Sequence, residues 1–131
     1  MNRSNILNHF ALFVSVAALA TLLAPAGAQA GDAAAGKAPY TTNCVSCHGE
    51  TGKGDGPVGQ VLQPPPRDFS VGDFKFDTDG DGKPGTDADL KAVIAKGAGA
   101  FGGNQMMAAW SGVLSDEEID NVVAYIRSLK K

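Results

Sequence analysis

Five consecutive residues, Cys44-Val45-Ser46-Cys47-His48, restrict this chain more than any other stretch of its 131 residues. C-x-x-C-H is the attachment signature for a c-type haem. The two thiols add to the two vinyl groups on one edge of the porphyrin, and the next residue lies beneath the ring, where imidazole reaches the iron. Competing chemistries ask for more than the chain offers. A structural zinc site takes four N or S ligands, whereas the chain holds two cysteines and two histidines, and one of those, His9, falls in a segment expected to be removed. A thioredoxin-like pair needs a βαβ context, and a disulfide across so short a loop restrains little.

The first thirty residues read as an export signal. Met1 to Asn8 are polar and carry Arg3 with no acid, Phe10 to Ala24 are an uncharged apolar run, and Ala28-Gln29-Ala30 supplies the small-x-small cleavage pattern. The run is short for a membrane anchor, which needs about 20 apolar residues. Residues 1–30 are therefore expected to be a signal peptide and residues 31–131 the mature domain, exported to the periplasm. Losing Arg3 leaves 10 basic against 14 acidic residues, a net charge of −4. Asp77, Asp79, Asp81, Asp87 and Asp89 lie in one segment with only Lys83 among them, so the acidity is local. With no stripe of Lys and Arg to replace condensed counterions, nucleic acid is excluded as a partner.

The mature segment is rich in Gly and Pro, and chains of this size bury a limited share of their surface, so a large apolar cofactor would help supply a core. Asp32 is placed to cap a helix from Ala33 to about Cys44, with Pro39 bending or interrupting it. The run G-E-T-G-K-G-D-G-P-V-G after His48 is too glycine-dense for regular structure, and Pro64-Pro65-Pro66 extends it. Thr86 with Asp89 predicts a capped helix from about Asp87 to Lys96, ended by Gly97 and Gly99. Ser115 with Glu118 is a capping box, and Ile119, Val122, Val123, Ile126 and Leu129 recur behind it at helical spacing. No alternating pattern is long enough for a sheet. The fold expected is all-α, with long loops.

His48 is the mature chain's one histidine, so a sixth iron ligand falls to methionine. Met106 and Met107 are the candidates, and the one that does not ligate fills packing space. The order C-V-S-C-H, a Gly-Pro loop, a late Met followed by an aromatic, and the terminal L-S-D-E-E-I-D-N-V-V-A-Y-I-R-S-L resembles the class I cytochromes c over essentially the whole mature chain. The resemblance implies a cytochrome c-like fold of three to four helices with long loops around one covalent haem. In that family the axial methionine is commonly followed by Pro, one residue and an aromatic. Met107-Ala108-Ala109-Trp110 keeps the register with Ala where Pro is usual, which favours Met107 and leaves Met106 as the alternative. The resemblance also implies that Gly36 and Tyr40 cross Tyr125, that the Pro57 carbonyl accepts the proton on the far nitrogen of His48, that Arg67 holds a haem propionate, and that Trp110 packs at the haem edge.

Asp77-Thr78-Asp79-Gly80-Asp81-Gly82-Lys83 fits the opening of an EF-hand loop, with carboxylates at positions one, three and five and then a glycine. Position twelve, usually Glu, is Ala88, and the leading helix is missing. Calcium held by Asp77, Asp79 and Asp81 is an expectation beside that of a solvated turn. With His and Met both on the iron no position is open for substrate, so the expected role is that of a soluble carrier of single electrons, not an enzyme. Its donor and acceptor are redox proteins that the sequence does not identify, a membrane-bound oxidase or reductase complex among the choices. The alternatives are a haem sensor or enzyme with a labile sixth ligand, and a cytochrome subunit of a larger oxidoreductase complex.

Overall fold

The computed structural model describes residues 30–131, so the predicted export signal lies outside the described residues but for its last, Ala30. Of four α-helices, α1 (Ala33–Asn43) and α2 (Val45–His48) are separated by Cys44 alone, and α3 (Asp87–Lys96) and α4 (Asp116–Ser128) follow after long loops that carry two 3-10 turns, Gly59–Val61 and Ala98–Phe101. No strand occurs among the described residues, as the sequence leads one to expect.

Each long helix starts where a side chain satisfies its free N–H groups. Asp32 Oδ1 accepts from the N–H of Ala34 at 2.7 Å and of Ala35 at 3.3 Å. Thr86 with Asp89 and Ser115 with Glu118 both form reciprocal capping boxes. Pro39 departs from expectation: α1 runs through it without interruption. Proline removes one helical bond, to the Ala35 carbonyl, and the burial of Gly36 and Tyr40 on either side offsets that loss.

The core lies where α1 crosses α4. An ideal Cβ on Gly36 would stand 1.9 Å from the Asn121 carbonyl oxygen, so only a hydrogen there lets the backbones meet. Asn121 Oδ1 accepts the Asp32 N–H at 2.7 Å, which ties the start of α1 to the same residue. One turn on, the Tyr40 and Tyr125 rings meet tilted, with centroids 5.0 Å apart. Ile119, Val122, Val123 and Ile126 form the buried stripe of α4, each contributing roughly 1.5–3 kcal/mol by leaving water. Helix α3 joins α4 through Lys91 and Asp120 at 2.9 Å and through Arg127 and Asp87 at 2.7 Å. Arg127 also lies over the Phe74 ring, 4.9 Å from its centroid.

Gly36→Val is expected to lower stability by roughly 3 kcal/mol, because overpacking here meets backbone that has no rotamer to change. Denaturant unfolding of the purified protein measures it, and a midpoint equal to wild type would show that the crossing is looser than the Gly36 contact implies.

Candidate functional site

The C-x-x-C-H residues sit at the junction of α1 and α2. Cys44 closes α1, its N–H donating to the Tyr40 carbonyl at 2.8 Å, and then begins the single turn Val45–His48. Gly49 stops that turn at φ +76°, a backbone conformation that favours glycine. The buried Tyr40 hydroxyl donates to the Gly49 carbonyl at 2.9 Å, so the α1/α4 crossing holds the end of α2 directly. Burial, and the Cys44 and Tyr125 charges near it, push the Tyr40 hydroxyl well above its ordinary value.

These residues form one wall of a cavity of about 270 Å³. Cys44, Cys47 and His48 share its lining with Leu62, the Pro64 to Pro66 run, Phe69, Phe74, Phe76, Leu90, Ile94, Met106, Met107 and Trp110. Phe69 stacks on the His48 ring, with centroids 4.5 Å apart and planes 20° off parallel, and Phe74 follows at 5.9 Å from Phe69. Both cysteines are free thiols and partly buried. Burial first, and then the neighbouring Cys47, push the Cys44 thiol up to about 11. Burial lowers the His48 imidazole while the Arg67 backbone works against it, leaving a neutral ring with a free lone pair at pH 7.

His48 Nδ1 is buried and makes no hydrogen bond. The bond expected from this ring to the Pro57 carbonyl is therefore not made. Pro57 is exposed and lines a separate depression with Val45, Gly49 and Glu50. The reason is local: Val58 donates to the Ser46 carbonyl at 2.9 Å, and Gly56 and Gly59 press on the carbonyls of Ser46 and Cys47. The backbone beside the His48 ring is that of Arg67, an exposed residue that lines the cavity.

Of the two methionines, Met106 is 66% exposed while Met107 is half-buried and packed against the core. Their loop is held from both sides. The Ala98 N–H donates to the Met107 carbonyl at 3.1 Å, Trp110 donates to the Ile94 carbonyl at 3.0 Å, and Asn104 Nδ2 reaches the Pro64 carbonyl at 3.1 Å. Gly97, at φ +81°, lets the end of α3 approach this loop, since a Cβ there would meet the Met107 oxygen at 2.8 Å. Two thiols, a neutral imidazole with an orphaned nitrogen, a half-buried thioether and an otherwise apolar, aromatic lining fit an iron porphyrin in donor chemistry and in polarity.

The acidic loop is arranged differently from the sequence expectation. The carboxylates whose ligand atoms lie within 4.8 Å of one another are those of Asp77, Asp79 and Asp89, while Asp81 pairs with Lys83 at 3.4 Å. Asp77 accepts the N–H groups of Gly80, Asp81 and Gly82, which closes the turn on itself. Asp89 is 1% exposed, lines the cavity and accepts four bonds: from Thr78 N–H at 2.6 Å and Oγ1 at 2.7 Å, and from Thr86 N–H at 2.9 Å and Oγ1 at 2.7 Å. Those bonds, the Thr78 N–H foremost, hold its carboxyl far below the usual carboxylate range. Sequence reasoning treats Asp89 as a cap and overlooks its place in the cavity wall, along with Phe69, Phe74 and Phe76. Phe74 and Phe76 alternate with charged residues, a two-residue period too short to be read as a face.

Comparison with known proteins gives consistent likenesses. The cytochrome c family model matches residues 33–130. Cytochrome c-554(547) of Halothiobacillus neapolitanus is 34% identical over 103 residues, covering 77% of this chain and 100% of that protein. The cbb3-type cytochrome c oxidase subunit CcoP of Azospirillum brasilense is 33% identical over 101 residues, covering 75% of this chain but 30% of the subunit. Among solved structures, a chain of a reducing HAO-like protein complex of Kuenenia stuttgartiensis matches with a TM-score of 0.61 and 33% identity, over 73% of this chain and 41% of that one. The chain thus spans the full length of one relative and less than half of the other two.

A folded-state value depressed below the ordinary 3.8 means the unfolded chain binds the proton more readily, so Asp89 contributes stability that is complete above that value and is lost as pH falls through the folded one. Asp89→Asn is expected to lower stability at neutral pH and to flatten the acid loss below about pH 4. Urea midpoints across that range measure it, and an acid limb as steep in the variant as in wild type would assign the loss to other carboxylates.

Proposed function

The chain belongs to the cytochrome c family, and from that premise we propose that it carries single electrons between redox partners outside the cytoplasm, on one haem held by Cys44 and Cys47. Membership in the family implies covalent haem c, which supplies a one-electron couple at iron. The observation that carries the reading is the gathering of both free thiols and the orphaned His48 nitrogen on one apolar cavity that Met107 also lines.

In this reading the chain's residues bind, orient and exclude water. Cys44 and Cys47 fix the cofactor's edge, and Phe69 sets the plane of the His48 ring by stacking on it. His48 and Met107 are the iron ligands. Half-burial and core packing favour Met107 over the exposed Met106. Arg67, exposed at the cavity, is suited to a haem propionate, and half-buried Trp110 to the haem edge. Pro57, the expected acceptor for the far nitrogen of His48, makes no bond with Nδ1 and adds nothing to the support for this reading. The aromatic and aliphatic lining keeps water away and so disfavours the extra charge of the oxidised iron, which raises the potential.

The domain division follows from the same reading. Cleavage after Ala30 leaves Gly31 as the first residue, packed so closely on α4 that a Cβ would stand 2.0 Å from the Asp120 carbonyl. Calcium is left out, because Asp77 and Asp89 already direct their oxygens at N–H and O–H donors. A second reading, that the domain serves a larger oxidoreductase complex, is favoured by likeness to a CcoP subunit and to a chain of an HAO-like complex.

Expressed in an export-competent, haem-ligating host, the protein is expected to show covalent haem and a ferric methionine-to-iron band in the far red, lost in Met107→Ala and kept in Met106→Ala. Loss in Met106→Ala alone would reverse the ligand assignment. Covalent haem without the band, together with ready carbon monoxide binding by the ferrous form, would replace the carrier reading with an open-site sensor or enzyme. Mass spectrometry of the same preparation is expected to find Gly31 as the N-terminal residue, and an intact residue 1 would sink the cleavage assignment.

A further inference from the structure

We propose that Asp89 sets the reduction potential of this site from within the cavity wall, acting as a fixed negative charge that holds the potential below the value the apolar cage alone would give. The inference rests on the haem reading above and adds a residue to it.

The placement is unusual for a helix cap. Glu118 performs the same capping task at the start of α4 from an exposed position, bonded only to Ser115. Asp89 has in addition a second pair of donors, the Thr78 N–H and hydroxyl, brought from eleven residues away, and it lies on the cavity beside Leu90 and Phe76. Capping alone requires neither the burial nor Thr78. All four donors are neutral, and among the described residues no cation forms a salt bridge with Asp89: Lys75, also at the cavity, is exposed and paired with Asp73 at 3.0 Å, and Arg127 pairs with Asp87. Four donors keep the carboxylate ionised without cancelling its charge.

Reduction adds one electron to the site, and a fixed negative charge nearby opposes that addition. Asp89 is 1% exposed, so water and salt screen its charge less than they screen the exposed carboxylates of the same loop. Asp89 therefore acts through its field, as a tuning residue that need not touch the reacting atoms.

Equilibrium redox titration of the haem-loaded protein tests this. Asp89→Asn is expected to shift the reduced-to-oxidised ratio at a fixed poise about tenfold toward the reduced form, which is ~59 mV for a one-electron couple. Thr78→Val keeps the charge and removes one donor, so it is expected to shift the ratio about threefold the other way, with the far-red methionine band retained. A purely structural role predicts the same direction for both variants, since a loosened cage admits water and lowers the potential in each. An Asp89→Asn protein with its spectrum intact and its potential unchanged or lowered overturns the proposal while leaving the haem reading in place. If that variant does not fold, Asp89→Ser, which removes the charge and keeps a hydroxyl at the cap, takes its place: a raised potential with the band intact supports the proposal, since a loosened cage would lower it, and an unchanged or lowered one overturns it. Wild-type protein without covalent haem would overturn both the proposal and the reading beneath it.

Discussion

At Gly36 the backbones of α1 and α4 come so near that a methyl carbon would stand 1.9 Å from the Asn121 carbonyl oxygen, and the site is positioned outward from that crossing. On the α1 side, the crossing buries Tyr40 completely. The Tyr40 hydroxyl on the Gly49 carbonyl then fixes the end of the turn that carries Cys47 and His48. On the α4 side, Lys91 with Asp120 and Arg127 with Asp87 fasten α3, whose Leu90 and Ile94 form another part of the cavity wall. Two parts of the wall, far apart in sequence, are thus referred to one backbone contact that only glycine permits.

The loops need a different kind of support, because a glycine- and proline-rich chain has no ladder of helical bonds to satisfy its amides. Here loop bonds to loop. Phe69 donates to the Gly52 carbonyl at 2.7 Å and Gly54 to the His48 carbonyl at 2.8 Å. The Asn104 side chain crosses to Pro64, and its Oδ1 also accepts the Met106 N–H. These bonds let an irregular chain form a water-excluding wall without leaving polar backbone stranded. They also place Phe69 on the imidazole and orient the methionine loop, so the glycines serve the cavity by what they allow to approach.

The helices were legible because their signals are local. Capping boxes at Thr86 and Ser115 and the four-residue recurrence from Ile119 onward are complete within one stretch of sequence, and the structure realises each of them. Gly36, Tyr40 and Tyr125 were legible through family resemblance, since no local pattern announces a contact between the chain's two ends. The expectation for Pro57 assigned one carbonyl to one imidazole on order in the chain, and no local signal shows how closely Gly56 and Gly59 pack on α2, which constrains where that carbonyl lies. Asp89 was misjudged for a related reason. Its spacing from Thr86 states the cap, but its burial depends on Thr78 folding back across a loop with no period to read.

Asp89 also changes how the acidic segment is to be understood. Counted in sequence, its five carboxylates look equivalent, a local surplus that needs a counterion. In the structure each is answered separately: Asp81 by Lys83, Asp87 by Arg127, and Asp77 by the N–H groups of its own turn. Asp79, exposed, accepts the Asp81 N–H and is left to water. Surface charges of this kind are screened within about 10 Å at ordinary salt, so they act chiefly on solubility and on encounters with other molecules. Asp77 and Asp89 are both answered by dipoles instead of an opposite charge, but Asp89 alone is buried, and dipoles stabilise an ion without extinguishing its long-range field. The segment's effect on the cavity therefore depends on one buried carboxylate more than on the net charge of the loop, and a surface charge map alone would miss it.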